Sequence, residues 1–170
     1  TIDEIVKPRL EDLTSKLADK WYKSKFEAVK TAAPTTKGDF GEELTVNLIK
    51  NIIGMNAEII NGGKGEFDIL IDSRIKFENK LATEDTSGGF QFNGLLKTGV
   101  KYDFVFCLGV SPNELWFGIW SKKEVEGLTV SMIKGGSDSF KLSATKNPNG
   151  KYSMMRLTVE NFKREVSKIV

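Results

Sequence analysis

Residues 65–81, GEFDILIDSRIKFENKL, decide how the rest of the chain is read. Apolar side chains alternate at Phe67, Ile69 and Ile71, and the alternation resumes through Ile75, Phe77, Asn79 and Leu81. A period of two is that of a β-strand with one buried face. The polar Asp72-Ser73-Arg74 between the two runs predicts a turn, and with it a β-hairpin. Asp68 then lies on the face opposite Phe67 and Ile69, while Glu78 and Lys80, two residues apart, project together from the second strand. An Asp, a Glu and a Lys on one patch suit a divalent cation beside a phosphate. The competing reading is a solvated strand face, since acidic and basic residues are plentiful along the chain.

Composition narrows the chemistry. A chain of 170 residues fits one domain around a single core. It contains no histidine, which excludes HNH-type and ββα-metal nucleases, His–zinc hydrolases and nucleophile systems with a His base. With one cysteine, thiolate metal sites are excluded too, so a metal would be held by oxygen and would be magnesium, manganese or calcium. Cys107 sits in the apolar run 104–110, which predicts a buried thiol in a reducing, cytoplasmic setting. No apolar run approaches the ~20 residues of a membrane span, and the first residues have no signal-peptide form, so no membrane partner is expected. The net charge is only +2, so a nucleic-acid partner would require basic residues clustered on one face.

On either side of the hairpin, periodicity places the other elements. Residues 2–30 carry apolar positions at spacings of three, four and seven, which predicts an amphipathic helix or helix pair, with Pro8 tolerable in its first turns. This helix is read as packing on its own domain; a dimerisation or DNA-clamping arm is the alternative. AAPTTKG at 32–38 reads as a loop and the main internal boundary, and 39–53 as the next helix. On a wheel of 100° per residue its aliphatic positions span an arc of about 200°. Glu42 falls inside that arc and Glu43 outside it. A carboxylate on a buried face is costly unless it is paired or bound to metal, although a first-turn Glu is also favoured by the helix dipole.

Residues 58–60 read as a short strand, and the Gly/Lys loop at 61–65 lacks the pattern of a nucleotide-binding loop. After Lys80, the polar stretch 83–89 predicts a mobile loop beside the site, and 90–96 a short helix with Phe90 and Phe92 as core residues. The run 102–110 predicts a central strand buried on both faces, and 111–113 a turn. A strand at 115–120 then carries Trp116 and Trp120 on one face, and 121–125 opens a short helix or turn. Turns follow at 135–138 and 147–150, and Thr158 can cap a last helix carrying Val159, Phe162, Val166 and Ile169. Lys134, Lys141, Lys146, Lys151 and Arg156 read as a dispersed charge set, or else as a phosphate-binding surface.

Asp68 followed by Glu78-Asn79-Lys80 resembles the active-site hairpin of the PD-(D/E)xK, or restriction-endonuclease-like, nucleases, with Phe67 where that signature usually has Pro. GDFGEELTVNLI at 38–49 is similar to the superfamily's first helix, and the order of elements from 38 to 125 follows its core. The resemblance implies an α/β fold with a central mixed sheet flanked by helices. A helical arm at 1–35 would precede the core at 38–125, and an extension at 126–170 would follow it. It further implies a magnesium-dependent endodeoxyribonuclease, with manganese as a substitute. Asp68, Glu78, the Asn79 carbonyl and Glu42 (or Glu43) would lie at the metal, Lys80 by the attacking water, and Gln91 in a supporting role, with a surface Gln the other reading. The implied partner is double-stranded DNA, cut by a homodimer or with a partner subunit. A type II restriction endonuclease is the nearest match. A junction-resolving nuclease and a non-catalytic DNA-binding relative are the alternatives.

Overall fold

The alternating run folds as a hairpin. The computed structural model describes residues 1–60, 67–96, 101–126, 130–132 and 138–170. The loop at 61–65, Lys134 and the turn residues 135–137 lie outside them. Strand β1 (Ala57–Ile59) precedes the hairpin strands β2 (Ile69–Ile71) and β3 (Ile75–Thr83). Asp72 and Ser73 at the tip both have positive φ, 51° and 56°, and the Arg74 N–H donates to the Ile71 carbonyl at 3.1 Å, closing a three-residue connection. The register pairs Ile71 with Ile75 and Ile69 with Phe77, so all four side chains share one buried face.

Residues 90–96 are strand rather than helix: β4 (Phe90–Leu96) bears Phe90, Phe92 and Leu95 inward, with a bulge between Phe92 and Leu95. Strong β-formers outweigh the helical expectation there, and Gly94 supplies the positive φ that the bulge uses. Strands β5 (Phe104–Val110) and β6 (Leu115–Ser121) complete the centre of the main sheet. Helix α4 (Lys122–Val125) follows, opened by a capping box between Ser121 and Glu124. Then come β7 (Val130–Met132), β8 (Asp138–Ala144), β9 (Met155–Arg156) and the last helix.

The main sheet runs β1-β2-β3-β5-β6-β9, and a small second sheet runs β4-β8-β7. Within the main sheet every described strand pairing is antiparallel except β3 with β5, so that sheet is mixed, as expected. A parallel pair needs a crossover, usually a helix; here the chain between β3 and β5 includes β4, which pairs with β8 in the second sheet. Strands β8 and β9, both beyond residue 125, thus pair with β4 and β6.

Helix α1 (Ile2–Ala18) and the short α2 (Glu27–Thr31) precede α3 (Pro34–Leu48), which runs into a π-helical turn at Ile49–Ile53. The expected loop at 32–38 is mostly helix, because Pro34 occupies a first-turn position where its missing N–H costs nothing. Helix α3 and the last helix, α5 (Val159–Ser167), cover one face of the main sheet, in a cluster with Ile69, Phe77, Phe106 and Phe117. Thr158 caps α5 and Phe162 packs edge-on to Phe106 and Phe117, whereas Val159 is exposed. The second sheet covers the other face, where Phe90 lies against Gly109 so closely that a Cβ there would sit 2.8 Å from the ring.

One expectation about packing fails. Helix α1 buries none of its residues, and its aliphatic stripe faces outward instead of onto the domain. The chain rejoins the body just after it, through buried Trp21, the Phe26 N–H donating to the Pro112 carbonyl and the Lys25 N–H donating to Asn113 Oδ1.

Candidate functional site

The site forms where β2 leaves the sheet. The last rungs of the β2–β3 ladder pair Ile69 with Phe77, and Asp68 N–H still donates to the Phe77 carbonyl at 2.9 Å. One position further, the Asp68 side chain replaces the backbone: its Oδ2 accepts the Asn79 N–H at 2.8 Å. The carboxylate is thereby pinned at the open end of the hairpin. The N–H and C=O of one residue leave a strand on the same side, so the Asn79 carbonyl faces this edge too.

Glu78 and Lys80 project from the opposite face of β3 to Asn79, as strand alternation requires. Lys80 Nζ lies 3.3 Å from Glu78 Oε1 and donates to the Gly94 carbonyl at 3.4 Å. The bulge in β4 turns that carbonyl toward the lysine. An Asn-Gly pair inside an apolar run is a turn or bulge signal, and it marks this contact in the sequence.

Glu42 comes from α3, and two small residues set how near it can come. A Cβ on Gly41 would stand 3.2 Å from the Asn79 side-chain amide and 3.3 Å from Leu81, so glycine lets the helix approach β3 closely. One turn on, the buried Thr45 hydroxyl lies 2.8 Å from Asn79 Oδ1 and 2.9 Å from the Gly41 carbonyl, sharing its one proton between them. Sequence reading missed Gly41 and Thr45. Their signal was a pair of small residues, four apart, in the middle of the apolar arc.

Electrostatics tie Glu42 to the hairpin. Burial and the charges of Asp68, Asp39, Glu78 and Glu43 push its carboxyl up to about 7. Asp68 is raised by burial, against the Asn79 N–H and Lys80, which favour its charged form. Glu78 is raised by burial and by Asp68, with Lys80 opposing. The neighbouring Glu43 is exposed.

The donor chemistry fits a hard cation: carboxylates that resist ionisation together, a strand carbonyl, no nitrogen and no sulfur. Among the described residues, no group of three or more acidic side chains is gathered tightly enough to form a metal cage. Magnesium requires only one or two carboxylates and keeps several waters, so Asp68, Glu78 and the Asn79 carbonyl could hold such an ion without a third acidic side chain.

Gln91 is not on a helix and is held elsewhere. It lies on β4, where its Oε1 accepts from Ser143 Oγ at 2.6 Å and its Nε2 reaches Asp85 Oδ2 at 3.5 Å. The stretch 83–89, expected as a mobile loop, is a hydrogen-bonded turn. Asp85 Oδ1 accepts from Ser87 N–H, Ser87 Oγ and Gly89 N–H. Buried Glu84 accepts from Lys20, Lys146 and Ser111. Of the dispersed basic residues, Lys146 is thus engaged with Glu84, and Arg156 pairs with Glu114 at 3.0 Å. Among the described residues no helix is long and apolar enough to cross a membrane.

No protein-family model matches this sequence, and no curated protein matches it. Among solved structures the chain is similar to a bacterial homing endonuclease, I-Ssp6803I, with a TM-score of 0.51 and 12% identity, over 81% of this chain and 94% of that one. The two share a fold: a mixed α/β core whose central sheet is flanked by helices.

Proposed function

We propose that this chain is a metal-dependent DNA endonuclease hydrolysing phosphodiester bonds at the Asp68–Glu78–Lys80 edge. The observation that carries the reading is the Asp68 carboxylate locked to the Asn79 N–H beside the Glu78–Lys80 pair, with Glu42 coupled to both acids. The fold shared with a homing endonuclease supports it. Duplex DNA cut at a defined site is the finer proposal, in the manner of a type II restriction endonuclease.

Asp68, Glu78 and the Asn79 carbonyl would hold magnesium, with manganese as the substitute. When bound, the cation supplies positive charge for the non-bridging phosphate oxygens. The chain's own groups do the rest. Lys80, fixed between Glu78 Oε1 and the Gly94 carbonyl, presents an ammonium to the charge that grows on the phosphate as water attacks. Glu42, coupled to the hairpin acids from α3, would orient that water and take its proton. Water forms one P–O bond and the bond to the leaving ester oxygen breaks, so no nucleophilic side chain is needed.

The test is cleavage of supercoiled and linear DNA with magnesium, comparing the natural chain with Lys80→Ala. Discrete products lost in the variant support the reading; nicked circles alone redirect it to a single-strand cutter. Intact duplexes and intact four-way junctions, with DNA still bound, replace it with a binding module.

A further inference from the structure

Helix α1 presents Ile2, Val6, Leu10, Leu13 and Leu17 on one narrow stripe, an arc of about 80° at 100° per residue. All five are more than two-fifths exposed, and Ile2 reaches 79%. Monomers rarely leave a contiguous aliphatic seam of this kind in water. Pro8 lies on the far side of the helix, so its missing N–H does not interrupt the seam.

We propose that α1 is a self-association arm, whose seam packs antiparallel against the same seam of a second copy. The spacing is close to palindromic. Reversed about the midpoint between Arg9 and Leu10, Ile2 meets Leu17 and Val6 meets Leu13, and the two Leu10 residues fall within one position of each other, the self-complementarity of a two-fold interface. Charge favours the same arrangement. The first turn carries Asp3 and Glu4, and the last carries Lys16, so antiparallel packing sets each acidic end beside the other copy's basic end and opposes the helix dipoles. A parallel pair would stack like ends together. The paired seams would cover on the order of 1,000 Å² over both copies, the lower bound for a specific interface. A nucleic-acid backbone is a poor occupant, because an aliphatic seam offers phosphates nothing.

The proposal is independent of the nuclease reading, and its test reads mass rather than cleavage. Sedimentation of the full chain across roughly 1–100 μM should show a concentration-dependent dimer, as expected of an interface of this size. The exposed double substitution Leu10→Glu with Leu13→Glu should give monomer throughout with an unchanged circular-dichroism spectrum. Mixing Ile2→Cys chains with Leu17→Cys chains under mild oxidation should give an interchain disulfide, and Ile2→Cys alone should not. A natural chain that stays monomeric, or a dimer that survives the double substitution, overturns the arm and leaves the seam to a different partner. Crosslinking of Ile2→Cys to itself overturns the antiparallel arrangement.

Discussion

Asp68 accepts a hydrogen bond from the Asn79 amide, so a side chain finishes a ladder that backbone began. This bond needs only an acceptor, whereas a cation needs a charge, and substitution separates the two. Asp68→Asn retains an amide oxygen for Asn79. Cleavage should fall by at least about a hundredfold. The melting temperature without metal should hold or rise, because a raised carboxylate is removed from a repelling group. Asp68→Ala also loses the acceptor and should cost about 1 kcal/mol more. Parallel activity assays and thermal melts check this; a large stability loss in Asp68→Asn would mean that the charge serves the fold.

Added divalent ion should stabilise the folded chain. Carboxylates that hold one another's protonation up are relieved by a cation between them, and a ligand that binds only the native state stabilises by mass action, about 2.7 kcal/mol at a hundred times its dissociation constant. Magnesium, manganese and calcium should each raise the melting temperature of the natural chain. Glu78→Gln should abolish most of the rise. An equal rise in that variant would place the ion elsewhere.

The same carboxyls set a pH dependence. Below about 4.5 the Glu42 carboxyl is protonated in both the folded and the unfolded chain, and its contribution to stability is fully present. Between there and about 7 the unfolded chain releases the proton while the folded chain keeps it, so stability falls as pH rises. Asp68 and Glu78, also raised, act in the same direction. Glu84 acts oppositely: burial would raise it, but hydrogen bonds from Lys146, Lys20 and Ser111 hold it low, so its contribution is lost as pH falls. Metal-free melts from pH 4.5 to 7 should therefore decline, and Glu42→Gln should flatten the decline. A slope unchanged in that variant would show that Glu42 is not the group that titrates.

Alternation made the hairpin legible, because one buried face fixes the register from Ile69 to Leu81. Phe67, beyond the paired residues, departs from it and packs with the cluster on the other face. The wheel likewise separated Glu42 from Glu43, since a helix buries one arc. Two features resist this treatment. Phe90 to Leu96 pairs with β8, about fifty residues away, and a strand made by a distant partner leaves no local sign stronger than its β-formers. Exposure of the α1 stripe is equally invisible, because periodicity shows that a face is apolar and not what covers it. Gln91 was misplaced for the first reason: a helix at 90–96 would orient it differently from a strand.

Thr45 links helix α3 to the hairpin by a buried hydrogen bond. Its hydroxyl is fully buried and reaches the side chain of Asn79, whose backbone N–H is the one that fixes Asp68. Thr45→Val replaces the hydroxyl by a methyl group of similar volume and leaves the Asn79 amide buried without this partner. The cost should be about 1–3 kcal/mol. In a domain of this size each kcal/mol lowers the melting temperature by roughly 2–4 °C. Thr45→Ser keeps the hydroxyl and should recover most of the loss. Under conditions where every variant is folded, Thr45→Val should also cleave more slowly than Thr45→Ser, because Asn79 then no longer holds Asp68 at a fixed point against α3. Equal cleavage rates at equal folded fraction would confine Thr45 to stability and leave the placement of Asp68 to the backbone alone.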